Sequence, residues 1–387
     1  MLNQIADLCR HNRRINSAAQ YTYLHILPKL YPGRRDSLRQ RELSGTEGMP
    51  CVAFICDEMT WIDFKEQCRA FFLSPKYWKE QMKMYRPDLF FCESAWEGGV
   101  SGWPDWRGRI YHNHELYFEN RKVLLELLAY CRKQKIPTVF WDKENPAFWG
   151  HPRYDFAETA VQFDFIFTTA EECVDRYRFM GHENTFILPF GVNTDLFFSP
   201  EIRKKSSRVI FAGSWYENLP NRCRALEVLF DHVLSQRMEL DIYNRKSGKG
   251  GKNFSFPSRY QPFLRDGVAY TELPALLRKY EYALNVNTIT DSQTMCSRRV
   301  LQLAASGMKI ITNPSPAMDR MEGLRLYKQA EDDQVCYWKS DAQIIARKYS
   351  VSRQFKWLLE QTLGSSAAGR GFSTDRGKGE KDGRADG

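Results

Sequence analysis

From Pro50 onward, short apolar runs alternate with longer amphipathic ones, and that alternation confines the chain to an α/β architecture. Residues 50–56 (PCVAFIC) and 88–92 read as strands buried on both faces, because few polar side chains interrupt them. Residues 78–85 and 120–135 (NRKVLLELLAYCRKQK) carry apolar side chains at helical spacing. Strand patterns at 138–141, 165–169 and 185–188 alternate with helical ones at 156–163 and 171–180, while 64–74 mixes both periods. A second cycle opens at Arg208, with strands at 209–212 and 240–243 and helices at 222–235 and 274–280. Units of this kind join parallel strands, so the pattern predicts two doubly wound parallel sheets. Residues 191–200 (GVNTDLFFSP) form the expected crossing between them. Ligands of such sheets sit beyond the C-terminal strand ends.

The stretch from Tyr282, YALNVNTITDSQTMCSRRVLQLAASGMKIITNP, adds chemistry to this frame. A strand at 282–287 leads into a polar loop at 288–294. A helix follows, with Arg298, Arg299 and Gln302 near its start, and it closes on Ala304-Ala305-Ser306-Gly307. A strand at 309–312 completes the unit. The loop and helix start offer backbone N–H groups, and two arginines add fixed positive charge, which suits a diphosphate. Arg298 and Gln302 are four residues apart and share a helix face.

These residues resemble the nucleotide-sugar site of GT-B glycosyltransferases, in the branch related to the spore-maturation protein CgeB. There the segment looks like LNVNxxTDSxTMxSRRxxELLAxGxxxIxT. CESAW (92–96), FWDKENP (140–146), FIFTT (165–169), LPF (188–190) and IFAGS (210–214) resemble the same branch, so the likeness covers roughly residues 50–315. It implies two Rossmann-like domains facing a cleft, and a nucleotide-diphosphate sugar as substrate rather than any cofactor. It places Gly213, Ser214, Asn287, Ser297, Arg298 and Arg299 around the donor. At position 302 the family carries a glutamate that grips the ribose; glutamine keeps a hydrogen bond but loses its charge-assisted strength. Thr294 stands where the wider GT-B pattern has a second glutamate. After Pro316 the resemblance fades, and two short helices at 342–363 stand in for the helices with which GT-B enzymes brace their domains.

The expected domain plan is a basic helical leader (1–45), an acceptor-side domain (46–195), a nucleotide-sugar domain (196–340), short terminal helices (341–363) and a disordered low-complexity tail (364–387). Asn244 and Arg245 end a strand and either line a nucleobase or close a structural turn. In the first domain Asp57-Glu58, Glu93 and Asp142-Glu144 all follow strands, hence face the cleft. Glu58, Glu93 and Glu144 are the candidates to orient or deprotonate an acceptor hydroxyl. Trp96, Trp103, Trp106 and Trp141 either stack on sugar faces or pack the core. His112 and His114 form HxH with no obvious third ligand, so no metal site is expected.

Composition narrows the remaining choices. The 387 residues suit two domains, and a hydrophobic content of 43% supplies their cores. No DxD, GxGxxG, GxxxxGK[ST] or GxSxG motif occurs, which disfavours a metal–diphosphate clamp, NAD or ATP binding, and hydrolase chemistry. Ten scattered cysteines without CxxC spacing, and no signal-peptide or membrane-spanning run, point to a reducing cytoplasm. The net charge is +9, and residues 1–45 hold eight Lys/Arg against three Asp/Glu. That leader either packs on its own domain or meets an anionic inner membrane face; no nucleic-acid module accompanies it.

The expected activity is metal-independent transfer of a sugar from a nucleotide diphosphate to a hydroxyl of a polysaccharide, glycolipid or other surface glycan. The alternatives are a non-catalytic GT-B relative that binds glycan or nucleotide, and a nucleotide-sugar epimerase of the same fold. A two-lobed periplasmic binding protein lacks the export signal it needs.

Overall fold

The computed structural model describes residues 12–26, 43–45, 47–99, 105–199, 208–248, 252–331 and 333–364. The first cycle supplies β1 (Cys51–Ile55), β2 (Arg69–Phe72), β3 (Leu89–Glu93), β4 (Thr138–Asp142), β5 (Phe165–Thr168) and β6 (Thr185–Ile187). Their order is β2-β1-β3-β4-β5-β6, and every pairing is parallel. The second supplies β7 (Arg208–Gly213), β8 (Glu239–Asn244), β9 (Leu264–Asp266), β10 (Tyr282–Leu284), β11 (Lys309–Thr312), β12 (Leu324–Gln329) and β13 (Cys336–Ser340). These run β12-β13-β11-β10-β7-β8-β9.

Helices connect and cover the strands. Along the chain they are α1 (Arg13–Tyr21), α2 (Glu58–Phe64), α3 (Trp78–Tyr85), α4 (Lys122–Gln134), α5 (Ala157–Ala160), α6 (Glu172–Phe179), α7 (Thr194–Phe197), α8 (Pro220–Ser235), α9 (Leu273–Leu277), α10 (Arg298–Ala305), α11 (Pro316–Asp319), α12 (Ala342–Tyr349) and α13 (Val351–Leu363). Burial explains why the strands are so apolar. All five residues of β1 and of β3 are buried, as strands covered on both faces must be.

Strand order reverses between β1 and β3 in one sheet and between β7 and β10 in the other. These are the topological switch points, where the crossover helices part and leave a crevice. The loops beyond the two crevices meet: Arg298, beyond β10, reaches Thr60, beyond β1. Two Rossmann-like domains thus face one cleft, as a GT-B architecture requires.

Several expectations are corrected. The second sheet is not wholly parallel, since β13 pairs antiparallel with β11 and β12. Exposed β12 forms the edge, with Arg325, Lys328 and a bulge at Leu326/Lys328 to discourage further pairing. The helix expected at 156–163 shrinks to α5, and the strand expected at 282–287 stops at Leu284. There the side chains take over. Asn285 and Asn287 bond to Thr312 and Asn313, not to solvent, so they read as strand while building a loop. Residues 64–74 resolve into the end of α2 and strand β2.

Part of the leader is described, and it packs on its own domain. Arg13 donates to the carbonyls of His114 and Glu115, each at 2.9 Å, and Tyr21 packs edge-on against Phe118. The proposed disordered tail lies, from residue 365 on, outside the described residues, as does Trp103.

The end of the chain is a brace after all. Helix α12 packs on α10 and buries Ile345 in the second domain. Helix α13 returns to the first domain and buries Val351, Phe355, Leu358 and Leu359 in its core. Phe355 lies 5.0 Å from Phe64 and 6.1 Å from Phe54, ring to ring. The two interdomain crossings run side by side: Val192 N–H donates to Tyr349 at 2.8 Å, and Val351 N–H donates to Val192 at 2.9 Å. A Cβ at Gly191 would meet the Tyr349 carbonyl at 3.1 Å and the Gln354 side chain at 2.1 Å, so this junction needs glycine.

Truncating Phe355 to alanine should therefore destabilise the first domain, although the residue follows the second in sequence. We expect a loss of about 3–5 kcal/mol in chemical denaturation. A loss confined to the second domain's transition would refute the brace.

Candidate functional site

The second-domain half of the cleft is a recess of positive charge at the β7–β10 switch. Gly213 ends β7, and a Cβ there would lie 2.9 Å from the Arg299 guanidinium. Glycine is what allows that close approach. Ser214 is fully buried, and its hydroxyl has no hydrogen-bond partner. Arg222, from the first turn of α8, is buried and donates to the Ser214 carbonyl at 3.0 Å. Arg245 follows β8 and donates to the Tyr216 hydroxyl at 2.8 Å. Among the described residues no carboxylate pairs with Arg222, Arg245 or Arg299.

Electrostatics record this imbalance. Burial, then the neighbouring Arg222 and Arg245 charges, pull the Arg299 guanidinium down to about 9. At Tyr216 burial works to raise the phenol, but Arg245, Lys246 and Arg222 outweigh it and hold it below the usual range. Arg222 is buried, Arg299 half-buried and Arg245 exposed, and cations gathered without a carboxylate would be stabilised by an anion entering the recess. Beside it, Trp215, Glu217, Pro220, Cys223, Ser255 and Pro257 line an open concavity of about 500 Å³.

Arg298 points elsewhere. Its guanidinium crosses to the first domain, donates to Thr60 Oγ1 at 3.0 Å and lies 3.8 Å from Asp63. It is covered by Phe190 and Trp141 at 4.9 and 5.5 Å. Gln302 shares that face and donates to the Tyr270 hydroxyl at 3.1 Å, which in turn donates to Asp63 at 3.0 Å. Thr294 also spans the cleft, accepting from Glu171 N–H and donating to the Thr169 carbonyl, both at 2.9 Å. The void among Thr60, Asp63, Trp141 and Arg298 has no room for a water-sized sphere. The cleft is closed at this point.

In the first domain, Glu93 is buried within the protein and does not face solvent. One oxygen accepts from Asp57 N–H and the other from Thr60 Oγ1, each at 2.6 Å. Burial, with the Asp57 charge adding to it, raises its carboxyl despite Lys143 and Arg298. Asp57 accepts from the N–H groups of Trp96, Glu97 and Gly98 and so orders the loop after β3. Lys143 lies 3.1 Å from Glu144, 3.6 Å from Asp57 and 3.7 Å from Glu93. Glu144 is partly exposed, and Glu58 is exposed in the first turn of α2. Trp106 and Trp141 are core residues; their indoles donate to the carbonyls of Leu73 and Leu188. Trp96 is packed among Tyr111, Phe148, Tyr154 and Phe156.

The sequence-derived set therefore divides. Gly213, Ser214, Arg245 and Arg299 converge. Arg298 and Gln302 belong to the cleft contact. Asn244 closes a turn by accepting from Lys246 N–H at 3.0 Å. Asn287 is buried and accepts from Ser297 N–H at 2.9 Å, which sets the start of α10. Arg222, Tyr216, Lys143, Asp63 and Tyr270 were missed. Lys143 stood between two carboxylates within FWDKENP, which was the available signal. Arg222 had none, since it reads as a helix-surface arginine until the fold turns it inward. HxH likewise showed no third ligand, but the fold brings Glu158 to His112 and His114.

No family profile and no curated protein matches the chain. Among solved structures it is similar to an alpha-glucosyltransferase in complex with UDP and a 13-mer DNA, at 11% identity and TM-score 0.45, over 82% of this chain and 96% of that one. It is also similar to TarM, at 10% identity and TM-score 0.38, over 73% and 57%. A UDP-GlcNAc 2-epimerase from Neisseria meningitidis bound to UDP-GlcNAc matches at 10% identity and TM-score 0.34, over 61% and 77%. Among the described residues no helix is long and apolar enough to cross a membrane.

Asp63 gives the cleft contact a pH signature. Burial raises its carboxyl to about 6, against the opposing pull of Arg298, Tyr270 and Asn193. The folded state thus holds this proton more tightly than the unfolded chain, whose Asp titrates near 3.9. Asp63 contributes stability below about pH 4, and that contribution fades as pH rises through about 6. Denaturation midpoints between pH 4 and 7 should show this downward component in the wild type and not in Asp63→Asn. Parallel profiles would contradict it.

Proposed function

We propose that the chain is a glycosyltransferase using a nucleotide-diphosphate sugar. The observation that carries this reading is the convergence of Arg222, Arg245 and Arg299 on Gly213 and an unpartnered, buried Ser214 hydroxyl. Three uncompensated guanidinium groups can neutralise a diphosphate in the ground state and stabilise it as it departs with the bond's electrons. The adjoining concavity is large enough for a nucleoside. The charge needed at the leaving group is thus available from arginine, which fits a metal-independent mechanism. Of the first-domain carboxylates, Glu144 is proposed to orient or deprotonate the acceptor hydroxyl, since it is partly exposed beside Lys143. Glu93 positions Asp57 and Thr60 instead. The proposed acceptor is a hydroxyl of a polysaccharide, glycolipid or other surface-glycan precursor, as the resemblance to the CgeB-type branch implies. The nine cysteines among the described residues are free and buried, which supports a reducing, cytoplasmic setting.

A second reading is a non-catalytic nucleotide- or glycan-binding relative. One observation favours it: Gln302, at the position of the ribose-gripping glutamate, is held by Tyr270 inside the cleft contact. Turnover of a donor by the wild type would remove it.

Calorimetric titration with UDP, GDP, ADP and TDP tests the site. We expect one nucleotide to bind selectively. Arg222→Ala and Arg299→Ala should each weaken it about tenfold or more, since one charge-assisted hydrogen bond is worth about 1.5–3 kcal/mol. Their unliganded thermal stability should stay level or rise, because each removes a cation with no carboxylate partner among the described residues. Failure of all four nucleotides to bind at millimolar concentration would overturn the donor site.

A further inference from the structure

We propose that His112, His114 and Glu158 form a binding site for a divalent transition metal of the zinc class. The site clips the stretch after β3 to the segment that carries α5 beyond β4. His112 and His114 alternate along an extended stretch, so their rings fall on one side of it. The backbone there is fixed. His112 and Asp155 exchange N–H···O bonds at 2.8 and 3.0 Å, and His114 N–H donates to Pro152 at 2.9 Å. The two rings lie 4.1 Å apart, centroid to centroid. Glu158 is itself placed by Asp155, whose Oδ1 accepts from Glu158 N–H at 3.1 Å.

The three side chains then converge on one point. Glu158 Oε2 lies 2.5 Å from His112 Nδ1, and Oε1 lies 3.2 Å from His114 Nε2. All three ligand atoms fall within 4.8 Å of one another. Asp155 Oδ2 is 3.9 Å from His114 Nε2 and can supply a fourth oxygen directly or through water. Tetrahedral zinc takes nitrogen and oxygen ligands at about 2.0–2.2 Å, which sets neighbouring ligand atoms a little over 3 Å apart. To admit the ion the His112–Glu158 contact must widen, and ligand atoms now up to 4.8 Å apart must draw in. His114 and Glu158 are both partly exposed, so an ion can reach the site from solvent. Two imidazoles with one carboxylate suit zinc, cobalt or nickel; calcium and magnesium prefer all-oxygen sites.

The two segments lie beyond neighbouring strands. The stretch bearing His112 and His114 follows β3, and the one bearing Glu158 follows β4. Trp96, Tyr111, Tyr154 and Phe156 pack between them. Arg13 of α1 is bonded to the His114 and Glu115 carbonyls, so the leader helix rests on the same clip. The metal here is structural, and the inference does not depend on the reading of the donor site.

The test uses the full chain without a polyhistidine tag, stripped by chelator and titrated with Zn²⁺ alone. Calorimetry should give one ion per chain, with a rise in melting temperature. Co²⁺ in its place should give a visible absorption band of nitrogen–oxygen coordination. His114→Ala and the isosteric Glu158→Gln should each weaken Zn²⁺ binding about tenfold or more and lose the thermal shift. His151→Ala, a neighbouring histidine outside the set, should keep both. Melting each stripped variant first checks that it folds. No saturable Zn²⁺ binding, or an equal thermal shift in the wild type and both ligand variants, would overturn the site.

Discussion

Arg298 begins a helix of the second domain, yet its guanidinium is held by the first. Thr60 and Asp63 receive it, Trp141 and Phe190 cover it, and Tyr270 with Gln302 completes the circuit back to its own helix. Everything else in the cleft is arranged around that contact. Thr60 also donates to Glu93, which fixes Asp57; Asp57 orders the loop after β3. A chain of hydrogen bonds thus links this guanidinium to the loop after β3.

Its neighbour Arg299 has the opposite character. One residue further along the helix, it turns toward β7 and meets two more arginines and, among the described residues, no carboxylate. A helix can do this because adjacent side chains diverge by about 100° around its axis. One face of α10 closes the cleft and the next holds unbalanced charge. The pair Arg298-Arg299 therefore serves two purposes, and reading both as phosphate ligands merged them.

The α/β class and most of the parallel strands, though not short β9, were legible because buried parallel strands leave continuous apolar runs. The antiparallel edge was not, because β12 is exposed and reads as a polar loop. The end of the strand opening at Tyr282 was misjudged for a related reason: Asn285 and Asn287 find partners 25–27 residues away in Thr312 and Asn313, which no local pattern reveals. Of the residues that meet around the β7–β10 switch, Gly213, Ser214 and Arg245 stood out by their place at strand ends and Arg299 by its place at a helix start. Arg222 was not, since its helix position looks like surface. Glu158 became the partner of His112 and His114 only through the bridge between two loops, and sequence spacing carries no trace of such a pairing.

The position of α13 has a consequence for how the molecule is made. Its four core residues belong to the first domain but follow the whole second domain along the chain. The aromatic surface around Phe54 and Phe64 must therefore wait, uncovered, while the whole second domain emerges from the ribosome. The domain translated first is the one completed last. A chain of this design leaves that apolar face uncovered during its own synthesis, and shielding by a chaperone would matter most in that interval.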